Sequence, residues 1–248
     1  MWIDKIVEAA RQYYQETDND PNSRFRSWEH CYLVFHKARM NGDVNYDLLS
    51  LHLAFYLASW GMLRGSSGLL QKDYRVHIPV VEMIMEDVYN DLFGNSCNGV
   101  SCYELIQNDT LSKLEQLRRR MRNHYREHGV NLTDTLFTKI LLGTFGCVPA
   151  YDDFLRKAVK QCEIIVRQVI PYNRQTITTL ANYYIEHEDA FENVRNQCLI
   201  HDSSEGIIYP PMKVLDMGLW RIGYKLDLAE KARKKASRAL ANAERAHV

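Results

Sequence analysis

Asp152 stands where a carboxylate can do chemistry. It follows the turn Pro149-Ala150-Tyr151 and precedes an apolar-periodic run starting at Phe154, so the spacing predicts a helix that opens on it. A helix N-terminus leaves backbone N–H groups without intrahelical partners, and its dipole favours negative charge, so a carboxylate there is held ionised. Such a group can stabilise positive charge developing on a substrate, or it can simply cap its helix. Asp153 is the alternate carboxylate if the register shifts by one. Upstream, Gly129-Val130-Asn131 forms a tight polar turn that leads through Thr133 into an apolar helix. Backbone N–H groups at such a turn suit an anion such as a phosphate.

Cations adjoin the turn. Lys113 to His128 holds Arg118, Arg119, Arg120, Arg122 and Arg126 against Glu115 and Glu127. With Arg119 and Arg122 facing outward, this helix would extend the footprint of a nucleic-acid backbone; the plainer reading is a solvated face. A second basic stretch begins at Lys225, while Glu186, Glu188, Asp189 and Glu192 would repel a polyanion and belong on another face. Formal net charge is +0, which argues against a generic nucleic-acid coat protein but not against segregated charge.

Other residues could shape a pocket. The segment around Trp60, Arg64, Ser66 and Ser67 ends an apolar helix in a small polar loop, and Tyr151 precedes the key carboxylate. Trp60 could stack on a base while Arg64, Ser66 or Ser67 reads polar edges, or Trp60 is core and Gly65-Ser66-Ser67 is an ordinary turn. Arg122-Asn123 followed by His128 resembles the loose Arg-to-His spacing of HEPN ribonucleases, a pattern that a stretch so rich in arginine meets by chance. His124 and His128 share a helical face, yet no third ligand lies near, so no metal is expected. Tyr209 to Trp220 reads as a core helix carrying Lys213 and Asp216 as an exposed or half-buried pair.

Helical periodicity dominates and period-two alternation is absent, so the chain is expected to be all-α. Helices are expected at about 2–16, 24–40, 46–63, 77–93, 101–108, 110–127, 133–143, 152–169, 174–186, 188–200, 210–222 and 225–246. Only Ile207 to Tyr209 reads as extended. With 46% hydrophobic residues in 248, the chain can build one compact multi-helix domain over 1–248, with two intimately packed lobes at about 1–108 and 109–248. Connections at Thr17 to Asn22, Arg64 to Asp73, Gly94 to Val100 and Asp202 to Pro211 are too short for flexible linkers. Six cysteines without C-x-x-C spacing, no secretory signal and no span long enough for a bilayer point to a cytoplasmic protein without membrane contact.

Gly129-Val130-Asn131, the apolar helix from about Thr135 to Leu142, Phe145-Gly146 and Pro149-Ala150-Tyr151-Asp152 follow the order of a known motif. Over this stretch the chain resembles the helix-hairpin-helix (HhH-GPD) DNA glycosylase superfamily, as a divergent member. Asn131 replaces the second hairpin glycine, and no Leu-Pro precedes Gly129. Asn tolerates the left-handed conformation that a hairpin requires. The resemblance implies base flipping from double-stranded DNA and hydrolysis of the N-glycosidic bond, with Asp152 stabilising the charged sugar. It also implies a monofunctional enzyme, because Thr133 stands where strand-cutting members carry an amine nucleophile. No iron–sulfur cluster or other cofactor is expected, since Cys162 and Cys198 stand alone in the C-terminal half. A monomer acting on a damaged base, or on a modified phage base in antiviral defence, fits equally. The alternatives are a non-catalytic helical nucleic-acid-binding module and a HEPN-like ribonuclease.

Overall fold

The computed structural model describes residues 1–94, 98–201, 203 and 206–246, and is all-α. Expected loop positions Asn95 to Cys97, Asp202, Ser204 and Glu205 lie outside the described residues. The helices are α1 (Trp2–Asn19), α2 (Arg26–Asn41), α3 (Tyr46–Ser59), α4 (Ile78–Ile84), α5 (Cys102–Leu105), α6 (Asn108–Glu127), α7 (Asp134–Thr144), α8 (Asp153–Gln161), α9 (Arg174–Glu186), α10 (Glu188–Arg195) and α11 (Pro211–Ala246). Short 3-10 turns occupy Gly65–Ser67, Tyr74–His77 and Asp87–Phe93. Among the described residues, the isolated bridge between Leu199 and Ile208 is what becomes of the extended segment expected at Ile207 to Tyr209. No helix of the described residues is long and apolar enough to cross a membrane.

One hydrophobic cluster runs from Ile3 on α1 to Trp220 on α11 and includes residues of both expected lobes. Against its buried side, α11 crosses α1 and α8 at two glycines. A Cβ on Gly218 would stand 2.5 Å from the Ile6 carbonyl oxygen, and one on Gly223 would stand 1.9 Å from that of Phe154. Glycine inside a helix costs roughly 0.5–1 kcal/mol relative to alanine. Here it lets two backbones approach more closely than any side chain allows, and it brings α8 against the helix carrying Lys213, Asp216 and Trp220.

The largest departures from the expected helices fall in three places. The run 77–93 breaks after Ile84 because Arg39, far away in sequence, takes the carbonyls of Met85 at 3.0 Å and Glu86 at 3.3 Å, while the Glu86 carboxylate pairs with Arg120. The helix expected over 152–169 stops at Gln161, where Glu163 adopts a left-handed φ of 60°. Conversely, 210–222 and 225–246 are one continuous α11, since Gly223 at the crossing does not break it. The first turns of α11 are buried and its residues 231–239 are all exposed, so the helix leaves the body as it runs.

Candidate active site

The path to the site starts at the hairpin. Gly129 ends α6 with φ 70°, and the carbonyl of Tyr125 accepts from Val130 N–H at 2.8 Å. Gly68 packs so tightly here that a Cβ on it would stand 2.5 Å from the Gly129 carbonyl oxygen. The N–H groups of Gly129, Val130, Asn131 and Thr133 already have acceptors, respectively Arg126, Tyr125, Ser67 and Asn131. What the hairpin offers an anion at these four positions is therefore side chains rather than free amides. Asn131 and Thr133 are exposed, and the Thr133 hydroxyl, which accepts from Leu136 N–H at 3.2 Å to cap α7, keeps its own proton to donate. Arg118 and Tyr172 N–H hold Asp134, fixing the start of α7.

From Leu136 onward α7 is buried, and Lys139 goes inward with it, its side chain only 4% exposed. The chain then turns through Gly146, where φ is 68° and a Cβ would stand 2.4 Å from Pro210. Every step of the return is tied down. Ala150 N–H donates to Asp216 Oδ1 at 2.9 Å, Tyr151 N–H donates to the Thr138 hydroxyl at 2.8 Å, and the Thr135 hydroxyl donates to the Tyr151 carbonyl at 2.8 Å. This delivers Asp152 as the N-cap of α8. Its Oδ1 accepts from Phe154 N–H at 3.1 Å and Leu155 N–H at 3.0 Å. Its Oδ2 lies 3.4 Å from Lys139 Nζ. Asp152 both caps the helix and presents a second oxygen, whereas the Asp153 side chain is 94% exposed beside Arg156.

Asp152 and Lys139 open on a cleft of ≈ 350 Å³ whose walls include Trp60, Trp220, Arg24 and Arg64. That volume lies near the lower end for pockets that take one small group. The Trp60 ring stacks on Phe25 with centroids 5.7 Å apart and meets Trp220 edge-on at 5.6 Å. Lys139 Nζ lies 4.9 Å and the Arg24 guanidinium 5.1 Å from its centroid. Its indole Nε1 is buried without an acceptor among the described residues, a donor that a ligand could satisfy. Behind this wall Lys213 and Asp216 pair at 3.3 Å, both buried. Burial pushes Lys213 down and Asp216 up, each toward its neutral form, and their mutual attraction opposes both shifts.

The expected residues separate into groups. Asp152, Asp153, Trp60 and Arg64 line the cleft. Ser66, Ser67 and Tyr151 do not, which corrects the expected pocket. Ser66 is exposed on its loop. Ser67 is buried, its hydroxyl donating to Met62 at 2.6 Å and Arg64 at 2.8 Å to close that loop. Tyr151 is core, its hydroxyl donating to Thr176 at 3.2 Å. Lys213 and Asp216 are likewise not the exposed or half-buried pair that was expected but a fully enclosed one. Of the five arginines on α6, Arg118 and Arg120 bind Asp134 and Glu86, leaving Arg119, Arg122 and Arg126 exposed next to the hairpin. His124 is tied to the Val76 carbonyl at 2.8 Å and His128 to that of His124 at 2.9 Å, and no metal-holding cluster occurs among the described residues.

Sequence reasoning did not mark Arg24, Lys139 or Trp220 as cleft walls. A lone lysine inside the apolar run Phe137 to Leu142 was the available signal. Among the described residues thiol chemistry is disfavoured, because burial pushes Cys162 and Cys198 up to about 12 and Cys31, Cys102 and Cys147 higher still. Compared with known protein families, with curated proteins and with solved structures, the chain matches none.

Proposed function

We propose that the cleft is the active site of a monofunctional DNA N-glycosylase, a cytoplasmic monomer acting on a base flipped out of double-stranded DNA. The observation that carries this reading is the split environment of Asp152: one oxygen fixed by two helix N–H groups, the other turned to the cleft beside Lys139. As the base leaves with the bonding electron pair, positive charge grows on the sugar, and a fixed carboxylate stabilises that state more than the ground state. Water then adds at C1′, oriented by the same oxygen, and its proton leaves with the base. Lys139 holds the free carboxylate oxygen in place. As the ammonium partner of an ion pair it has no lone pair with which to attack the sugar, and Thr133 offers only a hydroxyl.

Duplex oligonucleotides bearing a substrate base should therefore yield abasic sites that break only on alkaline treatment, and borohydride should trap no protein–DNA adduct. A trapped adduct lost in Lys139→Met would show that the amine attacks after all and that the enzyme also cuts the strand.

Arg119 and Arg122 stand exposed on the helix that enters the hairpin, as a phosphate-contacting edge requires. Reversing both to Glu should weaken binding to all duplexes alike and lower the slope of log affinity against log salt by about 0.9 per lost phosphate contact. An unchanged slope would assign these arginines to a solvated face. The HEPN-like alternative gains nothing from the site, since neither Arg122 nor His128 lines the cleft. The non-catalytic binding module differs in outcome: it would hold DNA and leave every base in place.

A further inference from the structure

Beside the cleft lies a second hollow, of ≈ 620 Å³, bounded by Phe25, Trp220, Tyr224, Leu228, Glu16 and Arg221. The two chambers share Arg24 and Trp220 as a common wall. Trp220 is fixed in the core. Arg24 is exposed, makes no ion pair among the described residues, and rests only on rings, 5.6 Å from the Phe25 centroid and 5.9 Å from that of Trp220. An exposed side chain changes rotamer in picoseconds to nanoseconds, and a swing of Arg24 off these rings and Trp60, 5.1 Å away, is the movement that would join the chambers.

We propose, resting on the glycosylase reading above, that the base removed carries a bulky, hydroxyl-rich substituent that occupies this second chamber. An unsubstituted base is accommodated by the cleft alone, which leaves the outer chamber nothing to hold. The chamber has the two features that a sugar-like group requires. Tyr224 lies flat on Trp220, with centroids 5.1 Å apart and planes 8° from parallel, and stays partly exposed as an aromatic platform for the C–H face of a ring. Its rim is a fixed polar network. The two terminal nitrogens of Arg221 donate to Glu16, at 2.5 and 2.7 Å, and Gln12 Oε1 accepts from Arg221 Nε at 3.2 Å and Lys225 Nζ at 3.1 Å. The Glu16 carboxylate and the Arg221 and Lys225 cations line the hollow together, which matches hydroxyls that both accept and donate. Leu228, 47% exposed in the same hollow, is apolar surface that such a ligand would cover.

The test uses duplexes that differ at one nucleotide: cytosine, 5-hydroxymethylcytosine and glucosylated 5-hydroxymethylcytosine, with the matching uracil series. Released base is measured by mass spectrometry for the wild type, Leu228→Trp and Tyr224→Ala, with thermal melting to verify folding. The glucosylated base should leave at least ten-fold faster than its hydroxymethyl counterpart, and both substitutions should pull that ratio toward one. Equal or faster release of the small bases, or a ratio indifferent to both substitutions, overturns the chamber assignment and leaves the glycosylase reading standing. No release from any of these duplexes overturns the chamber assignment, and no release from duplexes carrying damaged bases as well overturns the glycosylase reading.

Discussion

Asp152→Asn is expected to lower base release by about 10²–10³-fold, the cost of removing one preorganised electrostatic group from a reaction that develops opposite charge. The fold should survive. Asn caps a helix as well as Asp does, so its amide oxygen continues to accept from Phe154 and Leu155 N–H. What disappears is the negative charge on the oxygen facing Lys139, in a side chain only 14% exposed. Asp153→Asn distinguishes the two carboxylates, because that side chain points to solvent and touches only Arg156, at 3.8 Å. Single-turnover release from the preferred duplex, with melting curves for both variants, reads the difference. Near-normal release in Asp152→Asn would leave Asp152 as a cap and nothing more.

The second large effect falls on stability. Asp216→Ala removes the acceptor of Ala150 N–H and strands the Lys213 ammonium between the Tyr13 and Trp28 rings, 4.8 and 4.9 Å from their centroids. Breaking a buried ion pair from one side costs about 3–5 kcal/mol. For a chain of this size each kcal/mol shifts Tm by about 2–4 °C, so a fall of roughly 6–20 °C is expected. Lys213→Met combined with Asp216→Asn removes both charges and keeps an acceptor for Ala150 N–H. That double variant should recover most of the loss. If it melts as low as Asp216→Ala, packing around the pair rather than charge balance sets the stability. Because Asp216 holds the turn that delivers Asp152, the single variant should also slow base release at temperatures where it remains folded.

Much of this fold could be read locally. Asp152 caps the helix it was expected to open and Thr133 caps the one it leads into, each side chain accepting from the N–H two or three residues on. Periodicity located most helices because the buried stripes of α1, α6 and α7 belong to single segments. Non-local contacts were illegible. Arg39 ends α4 from another helix, and Gly223 reads as a breaker until α8 is seen packed against it. The same division holds for the site. Asp152 announces itself through the turn before it, while the other cleft walls come from the loop before α2, the end of α3 and the middle of α11. Polarity misled where hydroxyls serve the fold: Ser67 and Tyr151 look able to bind a ligand, yet both spend their hydrogen bonds internally.

The proposed role of Asp152 in hydrolysing an N-glycosidic bond of DNA is tested by incubating the wild-type protein and Asp152→Asn with duplexes carrying damaged and bulky modified bases, then weighing the free base released and the strand left behind. The wild type should give a free base and an intact strand with one abasic site, and the variant should give both products about 10²–10³-fold more slowly. Duplex bound with every base retained, or base released equally by both proteins, would contradict it.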